Sequence, residues 1–170
     1  MGLLGFWHRA LEDEEAAFKD AQAGMAYEEL YRSAMMVCVN RQSPLAGYKL
    51  LAPETLQPYH LIEFVHQRIT EKVFAPVGGA KSLLETVSPE MFKQMIADGI
   101  GYGFIDELDW MENYTYLDKE RMSAIPLDVP NAYICYGLLY RPEQVENAAC
   151  QAFCQVVRER FNRIEQKLGK

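Results

Sequence analysis

The side chains able to act as nucleophiles or metal ligands are few in this 170-residue chain, and they are widely separated. The four cysteines stand at positions 38, 135, 150 and 154, and the three histidines at 8, 60 and 66. Cys150 and Cys154 lie one helical turn apart, but no histidine follows or precedes them closely enough to complete a zinc site. Every cysteine falls in a predicted apolar strand or amphipathic helix, not in an electropositive loop that would activate a thiolate. The pattern predicts no metal site and no catalytic residue, and is typical of buried thiols in a reducing cytosol.

Two other patterns resemble catalytic or cofactor motifs but have the wrong context. Asp98 to Gly103 reads D-G-I-G-Y-G. A phosphate-binding glycine loop follows a strand and opens a helix, whereas these glycines follow a predicted helix and open a predicted strand. We interpret them as a helix stop followed by close packing. Asp106, Glu107 and Asp109 are typical of a polar loop, and the chain has no G-x-S-x-G elbow for a serine nucleophile. The sequence therefore predicts no cofactor.

One segment has the composition of an anion-binding site. Backbone amides at the start of the predicted helix 88–98 would attract an anion, and the Thr86 and Ser88 hydroxyls stand beside them. Ser88 is also a good N-cap, with Pro89 suited to the first helical position. Anion binding and plain capping both explain the pattern.

The charge balance argues against nucleic-acid binding by this chain. Seventeen basic side chains face 24 acidic ones, for a formal net charge of -7. A nucleic-acid binder needs a basic face, because phosphate neutralisation supplies most of its affinity. No apolar run approaches the ~20 residues that span a bilayer. Length and composition instead predict one ordinary domain with a buried core.

The elements that would position these residues alternate between strands and helices. Apolar runs predict extended segments over residues 2–7, 33–39, 59–64, 100–105, 124–127 and 132–140. Capping and periodicity predict helices over 53–56, 88–98 and 143–168. The last helix has an apolar stripe of Val145, Ala149, Ala152, Phe153, Val156, Val157, Phe161, Ile164 and Leu168. The acidic run 12–15 predicts a solvated loop or helix, and 76–79 a loop. The alternation predicts an α/β fold with a mixed sheet flanked by helices.

The order of several short motifs resembles a known family. The predicted helix 88–98 leads directly into the glycine-containing strand, and the later motifs follow in the order found in that family. The motifs are Tyr31–Ala46 ending in Q-S-P-L-A, Gln94–Ile105 (Q-M-I-A-D-G-I-G-Y-G-F-I), Met122–Leu127 (M-S-A-I-P-L), Leu138–Pro142 (L-L-Y-R-P) and the pair Ala152-Phe153. Together they are similar to the effector-binding domain of LysR-type transcriptional regulators.

The resemblance implies a periplasmic-binding-protein type II-like fold, a truncated two-lobe domain. It assigns residues 45–125 to the second lobe, and residues 1–44 and 125–170 to a remnant of the first lobe with the crossover strands. The family's N-terminal helix-turn-helix and the first part of its first lobe have no counterpart in this sequence. A fragment, a shortened gene product and a diverged relative each explain that difference.

The resemblance also implies a function, the sensing of a small-molecule effector that is anionic or aromatic. It implies that the protein is a cytoplasmic homodimer and that it does not contact a membrane. It also implies that this chain makes no direct contact with nucleic acid. The ligand-binding positions that match are Gly5, Phe6, Thr86, Ser88, Phe104, Ile105 and Asp106. A second interpretation is a protein-interaction or dimerisation module that has lost its effector and uses helix 143–168 and an exposed sheet edge. A third, a thiol hydrolase, would require a reactive cysteine.

Overall fold

The computed structural model describes residues 2–7, 24, 26–64, 73–74, 82–112, 117–130, 132–144 and 147–168. In chain order the strands are β1 Gly2–Trp7, β2 Ala26–Asn40, β3 His60–Phe64, β4 Ser82–Thr86, β5 Tyr102–Asp106, β6 Met122–Pro126 and β7 Tyr133–Tyr140. The α-helices are α1 Pro53–Leu56, α2 Pro89–Ala97, α3 Glu107–Met111 and α4 Ala148–Leu168, with 3-10 helices at Pro44–Gly47 and Pro142–Gln144.

The chain divides into two units. Unit 1 comprises Met1–Ser33 and Ile134–Lys170, and unit 2 comprises Ala34–Tyr133. The lobe boundaries expected from the family resemblance stay predictions.

Unit 2 is built on a mixed sheet, as the sequence predicted. Its described strands lie in the order β6-β2-β5-β3-β4. Strand β3 runs parallel to both β4 and β5, whereas β2 is antiparallel to β5 and β6. Parallel neighbours bring their carboxyl ends to one edge of a sheet. The sheet therefore gathers the ends of β3, β4 and β5 at a single edge.

Helix α2 packs on one face of this sheet and forms the core of unit 2. Phe92 and Ile96 are fully buried against Ile62 of β3 and Ile105 of β5. The rings of Phe64 and Phe92 stack with centroids 4.7 Å apart. This burial explains why the helix forms where its apolar spacing predicted it. Met91, in the first turn of the helix, is 55% exposed.

The glycine segment after α2 has a packing role, as predicted. Gly99 adopts a positive φ of 75°, the left-handed conformation that ends many helices. A Cβ on Gly101 would overlap the His60 carbonyl of β3, and a Cβ on Gly103 would overlap the Phe92 ring. These glycines let helix and strands approach closely, and they do not form a loop at a helix N-terminus.

Unit 1 combines three strand segments with the long helix α4. Strand β1 pairs antiparallel with β7, from Gly2 opposite Leu139 to Trp7 opposite Ile134, and β7 lies between β1 and β2. Phe161 of α4 packs between Tyr31, at a ring separation of 5.8 Å, and Tyr136, at 5.9 Å. The prediction of a strand over 2–7 is confirmed.

Two expectations about α4 are wrong. The helix begins at Ala148, not near residue 143, because Asn147 caps it: its side-chain oxygen accepts from the Ala149 amide at 2.9 Å. The predicted apolar stripe also splits. Phe161 and Ile164 are buried, whereas Phe153 is 44% and Val156 62% exposed.

The sequence missed two elements, β4 and α3. Strand β4 was not predicted because its outward positions, Leu83 and Glu85, are exposed and one of them is apolar. Apolar and polar residues therefore do not alternate along the strand. Helix α3 was not predicted because it has only five residues in a polar run and begins at a single buried cap, Asp106. The predicted loops at 12–15 and 76–79 lie outside the described residues. None of the described helices combines the length and apolar character needed to cross a bilayer.

Candidate ligand-binding site

The carboxyl edge of unit 2's parallel strands brings together most of the predicted ligand positions. Phe64 and Thr86 are register partners at the ends of β3 and β4, and β5 ends at Asp106. Because β3 separates β4 from β5, Thr86 and Asp106 stand two strands apart, about 10 Å. In open α/β sheets, this edge is where small ligands bind.

Thr86 and Ser88 form a hydrogen-bonded junction between β4 and α2. Thr86 is buried, and its hydroxyl oxygen accepts from the Ser88 amide at 3.1 Å. Ser88 is the N-cap of α2, and its hydroxyl oxygen accepts from the Met91 amide at 3.3 Å. Capping by Ser88 is therefore present, as the sequence predicted.

Glu90 occupies the place at this helix N-terminus where an anion would sit. Its carboxylate accepts from the Ser88 hydroxyl at 2.9 Å. The backbone amide of Glu90 and the Ser88 hydroxyl hold the pKa of this carboxyl below its usual range. An acid at the second position after a Ser-Pro start is the sequence signal for these contacts.

The first amides of α2 are thus satisfied by the chain itself. Pro89 has no amide hydrogen, Glu90 donates to its own carboxylate, and Met91 donates to Ser88. The Phe92 amide donates to the Ser88 carbonyl at 3.0 Å. An anionic ligand at this point would have to displace the Glu90 carboxylate.

Phe104, Ile105 and Asp106 are structural residues of β5 in this arrangement. Phe104 contacts Tyr102 at a ring separation of 5.8 Å and Phe74 at 6.2 Å. Ile105 lies in the core under α2. Asp106 is 1% exposed and caps α3, since its carboxylate accepts from the Asp109 amide at 3.1 Å. Their contact with a ligand stays a prediction.

Gly5 and Phe6 lie on β1 in unit 1, opposite Tyr136 and Cys135 of β7. The structure thus places five of the seven predicted positions in unit 2 and these two in unit 1. Their role in ligand binding stays a prediction.

The C-terminal end of α2 has a surface cavity of about 350 Å³, and its polar groups serve as a helix cap. The Arg121 guanidinium donates to the Ala97 carbonyl at 3.0 Å and to Asp98 at 2.7 Å. The Asn40 amide donates to the same carbonyl. Such contacts satisfy the carbonyls that a helix leaves open at its end. The cavity is explained by that structural role.

The geometry supplies little for nucleophilic or metal chemistry. Burial raises the pKa of the Cys38 thiol to about 12. Burial, with Glu29 beside it, raises the pKa of Cys135 to about 12. Within the part of the chain that the structure describes, no three His, Cys, Asp or Glu side chains converge as metal ligands.

The described residues form a mixed α/β arrangement with a polar junction at the carboxyl edge of its parallel strands. Comparison with known proteins identifies the family that has this architecture. The chain belongs to the LysR substrate binding domain family, whose model matches residues 15–162. The family comprises regulatory domains of transcription regulators. No curated protein sequence matches the chain.

Solved structures of LysR regulators share the fold. The regulatory domain of MetR from N. meningitidis is 19% identical with a TM-score of 0.67, over 82% of this chain and 65% of that chain. The effector binding domain of a BenM variant is 14% identical with a TM-score of 0.65, over 93% and 78%. The CcmR regulatory domain of Synechocystis PCC6803, in complex with 2-PG, is 15% identical with a TM-score of 0.63, over 79% and 66%.

These likenesses establish the periplasmic-binding-protein type II-like fold. The chain spans 65% of the length of the MetR domain, just under two thirds.

Proposed function

We propose that this chain is the small-molecule-sensing domain of a cytoplasmic LysR-type regulator and that the β4–α2 junction forms part of its effector site. Membership of the LysR substrate binding domain family carries the proposal. The position of Thr86 and Ser88 at the carboxyl edge of parallel strands supports it. Sensing requires that the effector bind one arrangement of the protein better than another.

The chemistry of the junction favours an effector with a carboxylate or another small anionic group. Helix N-termini stabilise negative charge through their amides and dipole. The Glu90 carboxylate already uses these donors, with the Ser88 hydroxyl at 2.9 Å. An effector carboxylate would make the same contacts once Glu90 swings into solvent. Glu90 is exposed, so no packing opposes that movement.

Calorimetric titration with a panel of small mono- and dicarboxylates tests this proposal. We expect Ser88→Ala to weaken binding of the best ligand roughly tenfold, since one hydrogen bond to a charged group is lost. We expect Glu90→Gln to strengthen it about two- to fivefold, because a competing negative charge at the helix dipole is removed.

Ser43→Ala is the matched control. Ser43 also caps a helical segment, accepting from the Leu45 amide at 3.3 Å, but it lies at the 3-10 helix after β2. Thermal unfolding should show comparable cap losses for the two serine variants, while only Ser88→Ala changes affinity. Equal affinity of wild type, Ser88→Ala and Glu90→Gln for a bound carboxylate would remove the junction from the effector site.

A further inference from the structure

Two cysteines of α4 line one surface cavity of unit 1. Cys150 and Cys154 are one helical turn apart, so their side chains lie on the same side of the helix. Both border a cavity of about 400 Å³ along α4, together with Gln151, Gln155 and Arg158. Cys154 is buried, whereas Cys150 is partly exposed. A small ion can therefore reach the pair from solvent on the side of Cys150.

The spacing of this pair suits a bridging metal ion better than a disulfide. Side chains four residues apart on a helix have Cβ atoms about 5–6 Å apart. A disulfide needs Cβ atoms about 3.5–4.5 Å apart, so it would distort α4. A metal–thiolate bond is about 2.3 Å long for zinc, and two such bonds in line span roughly 4.6 Å between the sulfur atoms. A metal ion can thus join both sulfur atoms while the helix stays unchanged.

The type and number of the ligands decide which ion fits. Thiolates are soft ligands that favour Cu(I) and similar ions over hard cations such as Mg²⁺. A structural zinc ion takes four ligands, whereas Cu(I) and Ag(I) accept two thiolates in a line. In the part of the chain that the structure describes, no three His, Cys, Asp or Glu side chains gather around one point. The pair therefore fits a soft monovalent ion and does not fit zinc.

Arg158 places a positive charge beside the pair, which favours the thiolate form. Its guanidinium lines the same cavity one turn beyond Cys154, and its two hydrogen bonds to Glu28 hold it there. The pKa of Arg158 is raised mainly by the hydrogen bond to Glu28, and the charge of Cys154 raises it further. The Cys154 sulfur and the guanidinium therefore lie close enough to interact. Two thiolates and one monovalent ion carry a single negative charge, which this guanidinium stabilises.

We propose that Cys150 and Cys154 form a two-coordinate site for a soft monovalent metal ion, Cu(I) or Ag(I). Each thiol releases its proton to solvent as the ion binds, and neither the metal nor the sulfur changes its oxidation state. The site lies on α4 of unit 1, so it is independent of the effector site proposed in unit 2. Cys38 and Cys135 are buried in strands and take no part in it.

Anaerobic titration of the reduced chain with Cu(I), in competition with a chromogenic Cu(I) chelator, tests this site. We expect a single Cu(I) per chain. Cys150→Ser should raise the Kd about a hundredfold or more, since changes outside the ligand set already cost about 10–100-fold. The matched control adds Ala149→Cys to Cys150→Ser, which keeps the number of thiols but sets them about 140° apart around the helix. This double variant should bind as weakly as Cys150→Ser, and Cys38→Ala should bind like wild type.

X-ray absorption at the copper edge counts the ligands, and we expect two sulfur atoms around each Cu(I). Bound Cu(I) should also slow the alkylation of Cys150, and thermal unfolding of the metal-free variants checks that they are folded. Failure of the wild-type chain to hold Cu(I) against the chelator would overturn the proposal. A single sulfur ligand, or wild-type affinity in the variant with thiols at positions 149 and 154, would overturn it as well.

Discussion

Burial governs the chemistry available to the cysteine residues. Cys38 and Cys135 are fully buried, and the pKa of each thiol is raised to about 12. A thiol with such a pKa is almost entirely protonated near neutral pH and is a poor nucleophile. Cys150 is only partly buried. Neither of these two thiols is activated for nucleophilic attack.

Alkylation of the native chain should therefore follow exposure. We expect iodoacetamide to modify Cys150 first, and to reach Cys38 and Cys135 only after unfolding, because the alkylating agent needs an accessible thiolate. Peptide mass spectrometry over a time course measures the order. Rapid modification of Cys38 or Cys135 in the folded chain would revive the enzymatic interpretation.

The ion pair between Glu28 and Arg158 ties α4 to β2 within unit 1. The guanidinium makes two contacts with the carboxylate, at 2.8 and 2.6 Å. The hydrogen bond from Arg158 holds the pKa of Glu28 below its usual range. A depressed carboxyl pKa adds stability that is present above the unfolded-state pKa, about 4.3, and is lost as pH falls through the folded-state value.

We expect Arg158→Gln to be less stable than wild type near neutral pH by under about 1 kcal/mol, because exposed pairs contribute little. The two side chains are 41% and 32% exposed. The difference should shrink as pH falls through the folded-state pKa of Glu28, because the carboxyl then becomes protonated. Urea unfolding at several pH values measures it, with Arg163→Gln as the control on the same helix. A difference that stays constant as the solution is made acid would show that the pair is not its source.

At the scale of elements, the approach of α2 to β5 depends on Gly103. A Cβ at this position would overlap the Phe92 ring and contact Ile96, both in the buried core. Overpacking a close-packed core forces side chains and backbone to shift. The glycine segment is therefore a structural requirement of the fold.

We expect Gly103→Ala to destabilise the chain by about 1–3 kcal/mol. Gly47→Ala is the control, because a Cβ at Gly47 would meet no atom within 4 Å. Thermal or urea unfolding compares the two. Equal stability of Gly103→Ala and wild type would contradict the packing role.

Elements with local signals were predictable from the sequence, and elements that depend on distant contacts were not. Helix α2 carries its own Ser88 cap and its stop at Gly99, so its bounds followed from the residues alone. Strand β4 is stabilised by its pairing with β3, and no local sequence pattern shows that pairing. The exposed half of the α4 stripe had the same periodicity as the buried half, and only packing separates them.

The candidate site shows the same division. The sequence indicated Thr86 and Ser88, because capping and anion binding use the same residue types. The occupation of the helix N-terminus by Glu90 depends on the path of one flexible side chain. Composition and spacing do not specify that path.

For the whole molecule, the order of weak motifs along the chain was more informative than any one of them. The family resemblance rested on that order and is confirmed by the match over residues 15–162. The carboxyl edge of unit 2's parallel strands, where the proposed effector site lies, gathers the ends of β3, β4 and β5.

Native mass spectrometry of the freshly purified chain, followed by thermal unfolding with small carboxylates, tests the sensing function most directly. We predict a retained adduct of metabolite size, or stabilisation by a carboxylate, that is reduced in Ser88→Ala and kept in Ser43→Ala. A chain that carries no adduct and is stabilised by none of the carboxylates would contradict the proposal that it senses a small anionic effector.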